Sequence, residues 1–135
     1  MDVLIAKIEK VLARESDVLL GYLFGSRATG LSHPFSDVDV GVYLKDGTTG
    51  YYLERERGLS VALMLALRMD AVDVTMLNVA GPELRHKVIS EGKLIFCREE
   101  GERVRFEERA MLDFFDNKFI FDEYDEMLYK RIMGR

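Results

Sequence analysis

The spacing of apolar residues divides the chain into segments of different period. Residues 2–15 carry Leu4, Ile5, Ile8, Val11 and Leu12 at helical spacing, with Lys7, Lys10 and Arg14 among the polar positions. That pattern predicts an amphipathic helix. Ser16-Asp17 interrupt it, and residues 18–24 form a near-continuous apolar run suited to a buried strand. Beyond a Gly25-Ser26 turn, a short helix and a loop are expected, then a second strand beginning at Asp37-Val38-Asp39. The clearest loop is Lys45-Asp46-Gly47-Thr48-Thr49-Gly50. A long helix follows over residues 51–69. Leu53, Leu59, Leu63, Met64 and Leu67 are its expected packed face, and Gly58 and Ser60 weaken its middle. Met64 and Met69 read as gap-filling core.

Residues 70–77 read as a third strand, with Val72, Val74 and Met76 on one face and Asp73, Thr75 and Leu77 on the other. Pro82 suits the first turn of a helix that Gly92 stops. A short strand is expected over residues 93–97. From Glu99 the chain is charged and helical in character, with Val104, Phe106, Ala110, Leu112, Phe115 and Phe119 as its apolar positions. Near the end, Phe114, Phe115, Phe119, Ile120, Phe121, Tyr124, Met127, Leu128 and Tyr129 crowd among five acidic residues of the same region. That is more apolar surface than one terminal helix hides on one face, so residues 114–135 are read as a partner-docking segment.

The chemistry concentrates around the first two strands. Residues two apart in an extended segment share a face. Asp37 and Asp39 therefore project together while Val38, Val40 and Val42 point into a core. Gly41 shares the aspartate face and is expected to leave room for a ligand. Two adjacent carboxylates repel, and a hard cation such as magnesium compensates them. Gly25 permits close backbone approach, and Ser26 at a helix start offers donors to a phosphate. Either half alone is an ordinary turn or loop end; together they are the equipment of nucleotide chemistry. Asp73 opens an otherwise apolar strand, where burying a carboxylate unpaired is costly. It is either a solvated strand end or a neighbour of Asp37 and Asp39.

With 135 residues, the chain is read as a single domain spanning residues 1–135. A net charge of −5 argues against a general nucleic-acid binder but allows a nucleotide. Cys97 is the only cysteine, which excludes an internal disulfide and a cysteine-based zinc site. No membrane segment or signal peptide is read, so a cytoplasmic protein is expected. His33 and His86 are isolated and read as surface or loop residues.

Gly25-Ser26, ten intervening residues, and Asp37-Val38-Asp39 resemble the signature of the DNA polymerase beta-like nucleotidyltransferase superfamily. The small size resembles its minimal branch, the antitoxin-type proteins paired with HEPN-domain toxins. The resemblance implies an α/β fold of the two-layer α+β type, a mixed sheet covered by helices. It implies Asp37, Asp39 and Asp73 as catalytic carboxylates and ligands of two Mg2+ ions, with Asp70 the alternative third carboxylate. Gly25, Ser26 and Arg27 would bind the nucleotide; some relatives carry an arginine where this chain has Thr29. The implied reaction moves AMP from ATP to a tyrosine hydroxyl of a HEPN-type toxin, with direct nucleic-acid binding not expected. Modification of a small molecule such as an aminoglycoside, and a non-catalytic antitoxin acting by binding, are the competing expectations.

Overall fold

The computed structural model describes residues 2–25 and 37–133. Helix α1 (Asp2–Arg14) buries Ile8, Val11 and Leu12, the stripe that its periodicity marks out. Strand β1 (Val18–Phe24) follows, with every residue buried. A run apolar on both faces belongs in the middle of a sheet, and β1 is indeed flanked on both sides. It pairs antiparallel with β2 (Val38–Leu44) and with β4 (Lys93–Cys97). β2 pairs parallel with β3 (Val72–Met76), which gives a mixed sheet of order β3-β2-β1-β4.

Helix α2 (Thr49–Leu67) connects β2 to β3 across one face. Thr48 caps it, its hydroxyl accepting from Tyr51 N at 3.1 Å. The buried stripe is Tyr52, Leu59, Leu63 and Leu67, whereas Leu53 is exposed. Tyr52 is in phase with Leu59 two turns on; Leu53 lies about 100° further round the helix. The weak centre does not break. Ser60 donates to Glu56 O at 2.8 Å, and a side chain on Gly58 would meet only the tip of Arg55. Arg55 anchors α2 to the α1–β1 turn, donating to Asp17 at 2.8 and 3.0 Å and to Glu15 at 3.2 Å.

Together α1, α2 and one face of the sheet enclose Val38, Val40, Val42, Val72, Val74 and Met76. Helices α3 (Pro82–Glu91) and α4 (Glu100–Met133) lie on the opposite face, where Val88 and Phe106 pack with Tyr22, Phe24 and Leu77. Helices thus cover both faces, and the aspartates project on the α3 side. Two polar devices seat α3. Asn78 bonds both backbone groups of Leu44, at 2.8 and 2.9 Å, continuing the edge of β2 past the end of β3. Arg85 donates to the carbonyls of Leu77 and Asn78 at 2.7 and 2.9 Å and lies over the Phe106 ring.

Helix α4 is one uninterrupted element of 34 residues. Its packed stripe is Phe106, Ala110 and Phe114; Val104, Leu112 and Phe115 are exposed. His86, read from sequence as surface or loop, is a helical residue of intermediate burial stacked on Phe114 with ring centroids 3.8 Å apart. No helix is long and apolar enough to cross a membrane among the described residues.

Candidate active site

Three strand ends meet on the α3 face. β1 runs toward this end and β2 and β3 start from it, so Phe24, Asp39 and Asp73 sit side by side. Asp39 and Asp73 are direct register partners on parallel neighbours. Parallel partners in register point the same way, which puts both carboxylates on one face. Asp37 stands two residues before Asp39, at the exposed approach to the strand. Asp70 falls outside the register, in the exposed turn before β3, where its carbonyl accepts from Val72 N at 2.9 Å.

The electrostatics record the same convergence. Burial, then the charges of Asp73 and Asp37, hold the Asp39 carboxyl above the usual aspartate value, and Lys87 pulls it partly back. Carboxylates whose charges oppose one another accept a proton or a cation readily.

Gly25 follows β1 with φ of +76°, in the left-handed region. A Cβ on it would stand 3.2 Å from Asp39 Cγ and closer still to Oδ2. Glycine is thus required twice, by its backbone angle and by the carboxylate beside it. Gly41 serves a different purpose from the one its pattern suggests. Leu77 fills the space above it, 3.3 Å from where a Cβ would stand, so Gly41 accommodates core packing and leaves no room for a ligand. Ser26 and Arg27, the other expected nucleotide-binding residues, lie outside the described residues, as does His33.

Among the described residues no group of three His, Cys, Asp or Glu side chains is arranged to hold a metal ion alone. Magnesium does not require one: it keeps several waters and takes one or two carboxylates plus substrate phosphate oxygens. The hard oxygen donors of Asp39 and Asp73, with Asp37 beside them, fit that mode.

Lys87 is a charged neighbour of Asp39 that the sequence pattern does not mark. It lies next to buried Val88 on α3, and its sequence neighbourhood is that of an ordinary solvated helix face. Only the packing of α3 onto the aspartate side brings its charge to Asp39.

A cavity of about 930 Å³ lies elsewhere, between the start of α3 and the second half of α4. Leu84 and Phe114 contribute its apolar lining, with Glu83, Lys118, Asp122 and Asp125 around them. None of the three aspartates lines it.

Comparison with solved structures finds the same architecture. The chain matches an MntA–HpeT toxin–antitoxin mutant with a TM-score of 0.72 at 23% identity, covering 95% of this chain and 98% of that one. It matches a toxin–antitoxin structure with AMP-PNP equally well, with a TM-score of 0.72 at 25% identity and the same coverage. A complex of the tri-AMPylated HEPN toxin of Shewanella oneidensis with MNT antitoxin gives 0.67 at 22% identity, covering 97% and 98%. No curated protein matches the chain by sequence. The family model described as polymerase beta, nucleotidyltransferase, matches residues 6–101, a span that holds Gly25 and all three aspartates. The chain therefore belongs to the polymerase beta nucleotidyltransferase family.

Proposed function

We propose that this nucleotidyltransferase transfers AMP from ATP to a tyrosine hydroxyl of a HEPN-type toxin and so acts as its cytoplasmic antitoxin. The observation that carries the reading is the pairing of Asp39 with Asp73 across two parallel strands, with Asp37 and Gly25 at the same strand ends. Support for donor and acceptor comes from the relatives, one solved with AMP-PNP and one with an AMPylated HEPN toxin.

Asp37, Asp39 and Asp73 would hold two Mg2+ ions; when bound, magnesium offsets charge on the attacked phosphate and on the departing pyrophosphate. Gly25, Ser26 and Arg27 bind the triphosphate, the last two by the motif alone. Asp73 helps deprotonate the acceptor hydroxyl, as a general base or through the metal it would share. The acceptor oxygen bonds to the α-phosphorus as the bond to the β-phosphate bridging oxygen breaks, and pyrophosphate leaves. Positioning and electrostatics do the work, without a covalent enzyme intermediate.

The partner would dock on the segment from residue 114 onward. Beyond Phe114 the helix carries Tyr124, Met127, Leu128 and Tyr129, all exposed. The adjoining cavity supplies a concave surface with an acidic rim.

The test is intact-mass spectrometry of a HEPN-type partner after incubation with the chain, ATP and magnesium. A gain of adenylyl groups on tyrosine is expected, and chelator should abolish it. Asp73→Asn should spare ATP affinity yet cut transfer by roughly a hundredfold or more, the scale of general-base loss; Asp70→Asn should transfer like the wild type. Equal transfer in excess chelator would overturn the metal role. Loss of transfer in Asp70→Asn but not in Asp73→Asn would overturn the assignment of the third carboxylate.

A further inference from the structure

Helix α2 is apolar on both sides. Tyr52, Leu59, Leu63 and Leu67 are buried against the sheet, yet Leu53, Val61 and Leu65 on the outer side are 48%, 55% and 74% exposed. A helix covered on one side ordinarily turns polar residues to solvent. Helix α1, on the same face of the sheet, does so with Lys7, Lys10 and Arg14, all exposed. The outer side of α2 instead carries an apolar stripe that no described residue covers.

The charges along that stripe have an order. Glu54 stands seven residues before Val61 and Arg68 seven after it; Arg57 and Leu65 stand four before and four after. All five are exposed, and steps of three and four residues keep them in one row along the helix. Among the described residues Glu54, Arg57 and Arg68 make no ion pair within 4.0 Å. Such a row is complementary to itself only when reversed. Laid parallel, two copies would set Glu54 against Glu54 and Arg68 against Arg68. Laid antiparallel about Val61, each Glu54 meets Arg68 of the second copy, and each Leu65 meets the aliphatic stem of the opposite Arg57. Gly58 lies beside the centre of the row. A Cβ on it would meet only the tip of Arg55, so a second helix can come close there.

We propose that this side of α2 is the interface between two copies of the chain, paired antiparallel about a two-fold axis at Val61. An interface of that symmetry uses the same patch on both copies, so the pairing of Glu54 with Arg68 is made twice. Val61 and Leu65 supply the apolar centre, and the charges fix direction and register. One pair of helices covers less than the roughly 1,600 Å² of a standard interface, so the association is reversible and depends on concentration. Asp39 and Asp73 project on the opposite face of the sheet, so the pairing leaves both carboxylate sites open.

Sedimentation velocity on the full chain, alone and over a range of concentrations, tests this. The wild type should pass from monomer to dimer as concentration rises. Val61→Glu sets two like charges at the axis and should weaken the dimer roughly thirtyfold or more. Circular dichroism should show the variant folded as before, since Val61 is exposed. Glu54→Arg and Arg68→Glu should each weaken the dimer about tenfold, because the two-fold axis doubles every change in a surface ion pair. Made together, they exchange the signs and should restore most of the wild-type affinity. That exchange is confined to exposed residues and decides the matter alone if Val61→Glu does not fold. A wild type that stays monomeric at every concentration overturns the proposal, even if another protein is found to bind this side of α2. So does a dimer indifferent to Val61→Glu, and losses in both single variants with no recovery in the double exchange overturn the antiparallel pairing.

Discussion

The side chain that Gly25 lacks would occupy the place of the Asp39 carboxylate. Gly25→Ala therefore has no cheap accommodation, since it must either hold a φ of +76° with a Cβ or displace the aspartate. Left-handed backbone costs an alanine about 1–2 kcal/mol, and overpacking adds about 1–3 kcal/mol. The variant should lose about 5–15 °C in melting temperature, on the scale for a domain of this size. If it folds, ATP affinity and transfer should fall with it. Thermal denaturation and calorimetry check both, and a stable, active Gly25→Ala would refute the role of this contact.

Asp39 should stabilise the protein less than asparagine would. Its folded pKa lies above the ordinary aspartate value of 3.8 that the unfolded chain keeps, so the folded chain holds the extra proton in the window between the two. Stability then falls as pH rises through that window, and the loss persists at neutral pH. Asp39→Asn should melt about 1–4 °C higher than the wild type at pH 7 without added metal. The difference should close as pH falls below the unfolded value, where the aspartate is neutral in both states. Magnesium should raise the wild-type melting point and leave Asp39→Asn nearly unchanged. A lower melting temperature for Asp39→Asn at pH 7 would show that the carboxylate is structural.

The second half of α4 should prove dispensable for folding and necessary for the partner. Tyr124 and Leu128 belong to neither buried core cluster, so replacing both with alanine leaves those clusters intact. Melting temperature and ATP affinity should hold steady. Partner affinity should drop roughly thirtyfold or more, as when interface anchors are truncated. A collapse in melting temperature would place these residues in the core. Unchanged co-purification would put the docking surface elsewhere.

Local sequence determined much of this protein because its signals are short-range. The apolar run of β1 requires burial on both faces, and the helical period of α1 selects its buried stripe. Alternation in β2 and β3 settles which residues share the aspartate face, and Gly25-Ser26 with Asp37-Val38-Asp39 marks the family. Tertiary structure decided what depends on contact between distant segments. Nothing local fixes strand order, and only the parallel pairing of β2 with β3 makes Asp73, and not Asp70, the neighbour of Asp39. A phase error of one helical position exchanges Tyr52 for Leu53 and Phe114 for Phe115, because adjacent residues on a helix differ by about 100°. Gly41 is free space in the pattern and the seat of Leu77 in the fold. Lys87 is one more charged residue on a helix until α3 is laid across the sheet, because electrostatic influence depends on distance through space, which residue spacing does not record.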